Sequence, residues 1–499
     1  MFDLGCHFYK SNIFFVYSNQ MKKFLLFIIL SFAFANAQFF YDKHGESRGA
    51  FKDSMEYSKL VEFSQRFRGP ILVKKPVEGV KPRKNLQKIP QDKIQRTFDM
   101  SRDSLRKELW LEVEKNEIVK VCVDRPVVAW ETSLKSAIFN DSCLVFQAPT
   151  LIGVDTLKVY FPDSDSSHKI NLAVGMKYLN FKNEEVLLGY NQKKRNVVTT
   201  ISGKSEQNED PERFVSVTGT YLIDKYPVTN CEITQLLWDS IPQNVPNLDP
   251  DSKRYTQNWI LRKKNGIRNE NCLTHDSAAA SVYLYQAMVY ANVRSIQEQL
   301  KPFYIFSASE SNDAQILSEG KYIIGYWDFS KHKESFIQVS IDSSSDGYRL
   351  PFYDEWMMYA RGGDKKNKAI WGDSSANIKE VLKYARFGTG KYFDKSEPVG
   401  QLKPNGFGLY DIFGLVWEHV LFKTKNPFHV LMRSPSCLKG GGNLVLTKDD
   451  GEYHSEPHWK SMNYSSSRPN FHGSVIAGFR LIRNIGNNAK WEEIKSETK

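Results

Sequence analysis

Past residue 35 the sequence has no apolar run approaching the roughly 20 residues that a membrane-spanning helix needs, so no transmembrane span is expected in the mature chain. No cysteine stands directly after its early apolar run, which excludes a lipid anchor at that point. Its basic stretches are not interleaved with aromatics and carry no nucleic-acid-binding motif, so no nucleic-acid partner is expected. Apolar residues are not scarce. With 41% hydrophobic and 13% aromatic residues in a chain of 499, a wholly disordered chain is excluded and at least two cores are affordable in material.

What is present begins with a targeting signal. Met21-Lys22-Lys23, an apolar run from Phe24 to Ala35 and the small-residue triplet Ala35-Asn36-Ala37 have the order of a secretory signal peptide. Residues 1–37 are therefore expected to be an upstream extension and signal peptide, cut before Gln38, with Met21 as the natural start. The product is expected in a periplasm, on a cell surface or in the medium. The formal charge of +11 is concentrated between Lys74 and Lys107, among several prolines, so 38–108 reads as a basic solvated linker. Its alternative role is adhesion to anionic envelope polymers or lipid head groups. Removing Cys6 with the signal leaves Cys122, Cys143, Cys231, Cys272 and Cys437, an odd number. Cys122 with Cys143 and Cys231 with Cys272 are two conceivable staples, and buried reduced thiols are the alternative.

Residues 109–179 contain the short β-branched runs IVKVCVDRPVVAW, SCLVFQAP, DTLKVYF and KINLAVGM, divided by Asp, Pro, Gly and Ser. That pattern predicts a small antiparallel β domain, either a binding module or a spacer. Residues 180–485 are mixed. A short helix is expected over Asn230 to Trp238 with Asn230 as its cap, and a longer one from Asp276 to about Leu300. Residues 486–499 are left as a tail.

The densest signature lies in GYRLPFYDEWMMYARGG, from Gly347 to Gly363, and PNGFGLYDIFGLVWEHV, from Pro404 to Val420. Pro351 precedes a short helix bearing Trp356, Met357, Tyr359 and Ala360, which Gly362 and Gly363 stop. In the second phrase Gly406 and Gly408 turn the chain tightly around Phe407 and Tyr410, and Trp417 follows as an apolar anchor beside Glu418. Together with FVSVTGTYLIDKYPVTN, the phrases Lys439-Gly440-Gly441-Gly442 and Gly478-Phe479-Arg480, these resemble the formylglycine-generating enzyme, or sulfatase-modifying factor, family. Arg349, Glu355, Trp356, Gly406, Gly408, Trp417, Gly441 and Arg480 are among the matching positions. The resemblance implies an α+β fold, an irregular C-type-lectin-like sulfatase-modifying-factor domain, here preceded by the small all-β domain.

The chemistry departs from that family. Its oxidases hold copper(I) on a cysteine pair shortly after the "RGGS" phrase, and soft thiolates are what copper(I) needs. No cysteine follows Cys437 here, so copper is not expected and the oxidase mechanism does not carry over. The same stretch contains His454, Glu456, His458 and, further on, His472, which are candidate imidazole ligands for another metal or solvated loop residues. Family members also hold structural calcium near a "GNVWEW" loop. Leu415 stands where the asparagine is expected, leaving Glu418, Asn377 and Asp411 as oxygen donors, or Glu418 as the partner of a buried arginine such as Arg349 or Arg480. Two functions follow as expectations. One is a non-catalytic exported module binding a protein, glycan or envelope component; the other is a divergent metal-dependent oxidoreductase.

Overall fold

The computed structural model describes residues 71–74, 91–190, 210–237, 276–364, 378–386, 397–422, 436–439, 447–449, 452–454 and 477–493, apart from short interruptions within these spans. In its N-terminal part, β1 (Ile71–Lys74), β5 (Ala129–Thr132), β8 (Gly153–Tyr160), β9 (Ser167–Val174) and β3 (Leu109–Val113) form one sheet in the order β1-β5-β8-β9-β3. A second sheet runs β2-β4-β7-β6, from β2 (Arg96–Met100), β4 (Ile118–Val123), β7 (Cys143–Gln147) and β6 (Ser136–Ile138). Strand β4 alternates half-buried and buried along IVKVCV, so one face of each pleat enters the core. That core contains Trp130, Val119, Val121, Leu144, Phe146, Leu157 and Leu172.

Two expectations about this domain change. Pairs β2–β4 and β3–β9 are parallel, so the domain is mixed rather than purely antiparallel. Strands β1 and β2 also lie inside the stretch read as linker: Ile71-Leu72-Val73 and Phe98 supply sheet positions that the surrounding charge hid. Cys122 and Cys143 sit opposite each other in the β4–β7 ladder and are joined as a disulfide. Cys231 is disulfide-bonded too, while Cys272, the partner weighed for it, lies outside the described residues.

The C-terminal part is built on β10 (Met176–Tyr190), β11 (Asp210–Asp224) and β21 (Ile482–Glu493), in the order β10-β11-β21. Its sheet therefore starts before residue 180 and takes in residues to Glu493 that were expected to be tail. The pairing needs both: Val215 and Val217 of β11 face Glu493 and Trp491. Three further groups complete it: β12 (Tyr304–Ala308), β13 (Gln315–Ser318), β14 (Lys321–Asp328) and β15 (Lys333–Ile341) in the order β12-β15-β14-β13; β16 (Trp417–Leu421), β17 (Ser436–Lys439) and β20 (Ala477–Gly478) in the order β17-β16-β20; and the hairpin of β18 (Thr447–Asp449) with β19 (Glu452–His454).

Helices are few. Helix α1 (Asn230–Leu236) is capped by Thr229, not Asn230; Thr229 and Glu232 form a reciprocal capping box, and the Asn230 amide instead donates to the Ser277 and Ala278 carbonyls. Helix α2 (Leu284–Gln297) starts later than expected, because residues 278 and 279 commit their amides to Glu397 and Val228 carbonyls. Helix α3 (Tyr353–Ala360) begins two residues after Pro351. Its Trp356, Met357, Tyr359 and Ala360 are fully buried. No helix among the described residues is long and apolar enough to cross a membrane. The described residues are thus mostly sheet with a few short helices.

The two parts are joined by apolar contact, with Ile152 and Ala173 in the C-terminal core and Trp110 stacked on Tyr178, and by charge. Lys115 donates to Glu232 at 2.6 Å with both side chains buried, Lys177 pairs with Glu112, Lys225 pairs with Glu114, and the Val154 amide donates to Glu298 Oε1 at 3.1 Å. Burial pushes the Glu232 carboxyl up, but Lys115 and the Thr229 bonds outweigh it and hold it below its ordinary range.

Candidate functional site

The two signature phrases meet at the C-terminal end of α3. Gly362 has φ 62° and Gly363 φ 85°, left-handed conformations that stop the helix. A Cβ on Gly362 would lie 2.6 Å from the Gly406 nitrogen, and one on Gly406 would lie 2.3 Å from the Gly362 oxygen. Only paired glycines allow the two backbones to approach so closely. Asn405 locks the contact from both sides: Nδ2 donates to the Tyr359 and Ala360 carbonyls at 2.7 and 3.3 Å, and Oδ1 accepts from the Phe407 and Leu409 amides at 3.0 and 3.1 Å.

The N-terminal end of α3 is held by Glu355. Its carboxylate receives Arg349 bidentately, at 2.6 and 2.7 Å, and accepts the Phe352 amide at 2.8 Å. Arg349 is therefore spent on Glu355, and Glu418 has a different arginine. Glu418 and Arg480 are both fully buried; Arg480 Nε donates at 2.8 Å to Oε1, and Trp356 Nε1 donates at 2.8 Å to Oε2. Arg480 Nη2 also lies 2.6 Å from Glu418 Oε1 and donates to the Tyr410 carbonyl, while Nη1 donates to the Asp224 and Lys225 carbonyls. A second buried pair lies alongside, with Arg294 Nη1 donating to both Asp224 carboxylate oxygens at 2.8 and 3.0 Å. Burial raises the Asp224 carboxyl, opposed by Arg294.

This arrangement does not fit calcium. Both Glu418 oxygens face cationic or N–H donors, and Asp411 Oδ2 accepts the Gly400 amide at 2.6 Å. Burial raises the Asp411 carboxyl, opposed by the Gly400 amide and Arg480. Leu415, with φ 55°, packs in an apolar cluster with Val416 and Tyr226. Asn377 lies outside the described residues, as do Gly441, His458 and His472; His454 is described only as the last backbone position of β19. The three candidate histidines are therefore not brought together by any described geometry. Among the described residues no three His, Cys, Asp or Glu side chains are grouped to hold a metal ion.

Where the phrases meet they also make a cleft of about 360 Å³. Met358, Arg361 and Gly363 come from the first phrase, Asp364 directly follows it, Phe407 comes from the second, and Leu179 to Phe181 and Glu184 to Leu187 from β10. Phe181 and Phe407 pack edge to face, 5.9 Å between centroids. Strand β10 bulges between Phe181 and Glu184, with Asn183 at φ 59°, and leaves Glu184 and Glu185 exposed. Sequence reasoning missed this cleft. Its local trace was the run of four polar residues Lys182-Asn183-Glu184-Glu185 inside β10. The Asp224–Arg294 pair was likewise missed, its trace being single charges in an apolar strand and helix.

Residues 189–485 match the sulfatase-modifying factor enzyme 1-like domain family. The chain belongs to that family. Among individual relatives of this family member, the chaperone protein LppX of Paenibacillus barcinonensis is 33% identical over 147 residues, covering 27% of this chain and 48% of that protein. The formylglycine-generating enzyme of Mus musculus is 24% identical over 258 residues, 48% of this chain and 61% of that enzyme. The inactive C-alpha-formylglycine-generating enzyme 2 of Mus musculus is 39% identical over 80 residues, 14% of this chain and 25% of that protein. The family member thus spans less than two thirds of the length of each of these relatives. Trp356, Gly362, Gly406 and Arg480 carry the scaffold interactions within the matched span.

Proposed function

We propose that this sulfatase-modifying-factor member is an exported, non-catalytic protein that binds polypeptide. The observation that carries the reading is the lack of thiolate: no cysteine follows Cys437, so the copper-holding pair implied by the family resemblance has no counterpart. Two relatives support it by name, one an inactive formylglycine-generating enzyme and one a chaperone. Of the protein, glycan and envelope component weighed as ligands, the chaperone favours protein. Export is supported by the Cys122–Cys143 disulfide, since such bonds persist in oxidising compartments. On this reading the matched span keeps the irregular C-type-lectin-like arrangement as a scaffold. The oxidoreductase alternative rests on His454, His458 and His472, and no described side-chain geometry favours it.

Two assays on the purified chain test the reading together. One follows aggregation of a reduced, unfolded client protein; the other follows conversion of the cysteine in a sulfatase-derived peptide to formylglycine by mass. Suppressed aggregation without conversion is the expected result. Conversion, or bound transition metal lost when the three histidines are replaced, would overturn it.

A further inference from the structure

The cleft between β10 and the joined signature phrases has properties that identify an occupant. Four consecutive residues of β10, Glu184 to Leu187, line it. Successive side chains of a strand point to opposite faces, so a cavity touched by four in a row lies along the strand's edge. Strand β10 is the outer strand of β10-β11-β21, and among the described residues no strand pairs with its other side. A sheet edge with no partner strand among the described residues, beside a pocket, suits an extended chain.

The lining is sorted by chemistry. Met358 is fully buried, and with Phe181 and Phe407 it makes an apolar floor. Glu184 and Glu185 are exposed at the bulge, and Asp364 is half-buried. Among the described lining residues the one cation is Arg361, and its side chain is buried rather than set at the mouth. Lys182, in the same bulge, is not part of the lining. The rim is therefore acidic over an apolar floor. A volume of about 360 Å³ holds one or two side chains of a peptide.

We infer that the cleft is a docking site for a basic extended segment of another polypeptide. An apolar side chain seats against Phe181, Met358 and Phe407, and a neighbouring Lys or Arg meets the Glu184–Glu185 rim. This rests on the polypeptide-binding reading above and specifies it: the acidic rim selects for positive charge and against negative charge.

The test uses fluorescence anisotropy with three labelled decapeptides, Lys–Leu alternating, Glu–Leu alternating and Lys–Ser alternating, on the full chain and on a Glu184→Lys/Glu185→Lys variant. Both glutamates are exposed, so the variant is expected to fold, and near-ultraviolet circular dichroism checks this. The Lys–Leu peptide is expected to bind about tenfold or more tightly than either of the others, with affinity falling as salt rises. In the variant its affinity is expected to fall by about tenfold, while aggregation suppression of a neutral client changes little. Equal binding of Lys–Leu and Glu–Leu peptides, or unchanged Lys–Leu binding in the folded variant, would overturn the site while leaving polypeptide binding standing. If no peptide binds and no client is protected, both the site and the polypeptide-binding reading fall.

Discussion

Lowering the pH should destabilise this protein through His419. The imidazole is buried on β16, and its Nε2 lies 2.7 Å from the Val282 carbonyl, which identifies Nε2–H as the donor of the neutral ring. Burial lowers its pKa from 6.5 to about 4. The folded state thus resists protonation that the unfolded state accepts, so the native state loses stability as pH falls from 6.5 towards 4 and gains none above 6.5. Holding the buried ring neutral is worth about 3 kcal/mol in full, of which about 2 kcal/mol is lost between pH 7 and pH 4.5. Other carboxylates titrate in the same window, so the comparison must be made with His419→Gln, whose amide can still donate to Val282 but does not titrate. Urea titrations followed by tryptophan fluorescence at the two pH values give both stabilities. Wild type should lose about 2 kcal/mol more than the variant over that interval. Equal losses would show that His419 is not held neutral by burial, and the reasoning would fail.

Three other perturbations probe the scaffold. Glu418→Gln leaves the buried Arg480 without its counter-charge and should cost about 3–5 kcal/mol in denaturant titrations, much of it recovered in Glu418→Gln/Arg480→Met; a cost under about 1 kcal/mol would refute the buried pair as drawn. Gly362→Ala puts a Cβ 2.6 Å from the Gly406 backbone at φ 62° and should lower stability by about 2 kcal/mol or more, read as a drop in melting temperature; an unchanged melt would mean that the two signature phrases do not touch. Replacing Cys122 and Cys143 by serine opens a loop with a sequence separation of 21 residues and should destabilise by about 3 kcal/mol, measured by calorimetry against the oxidised parent; no change would put the β4–β7 staple in doubt.

How much of this was legible beforehand depends on the range of the interaction. The stop of α3 at Gly362 and Gly363 was readable, because helix termination is local: a left-handed residue is needed and glycine supplies it. The alternation in β4 was readable for the same reason. The cap of α1 was misread by one residue, because Thr229 and Asn230 are both good caps and only the backbone path selects between them. The start of α2 was misplaced because residues before Leu284 carry helical spacing but their amides are taken by distant carbonyls. The linker was misread because a net-charge count weighs every residue, whereas β1 needs only a few apolar positions at the right register.

The sequence by itself determined the family, the lack of a thiolate pair and the local stops and alternations, since these depend on residue type and short spacing. Only the tertiary structure decided that Arg349 takes Glu355 while Arg480 takes Glu418, a choice between equal charges made by geometry. It also decided that residues beyond 485 complete the β10-β11-β21 sheet, and that Glu184 and Glu185 stand over Met358 and Phe407. Those partners are separated by scores to hundreds of residues, and no spacing along a chain encodes which distant segments its folding will bring side by side.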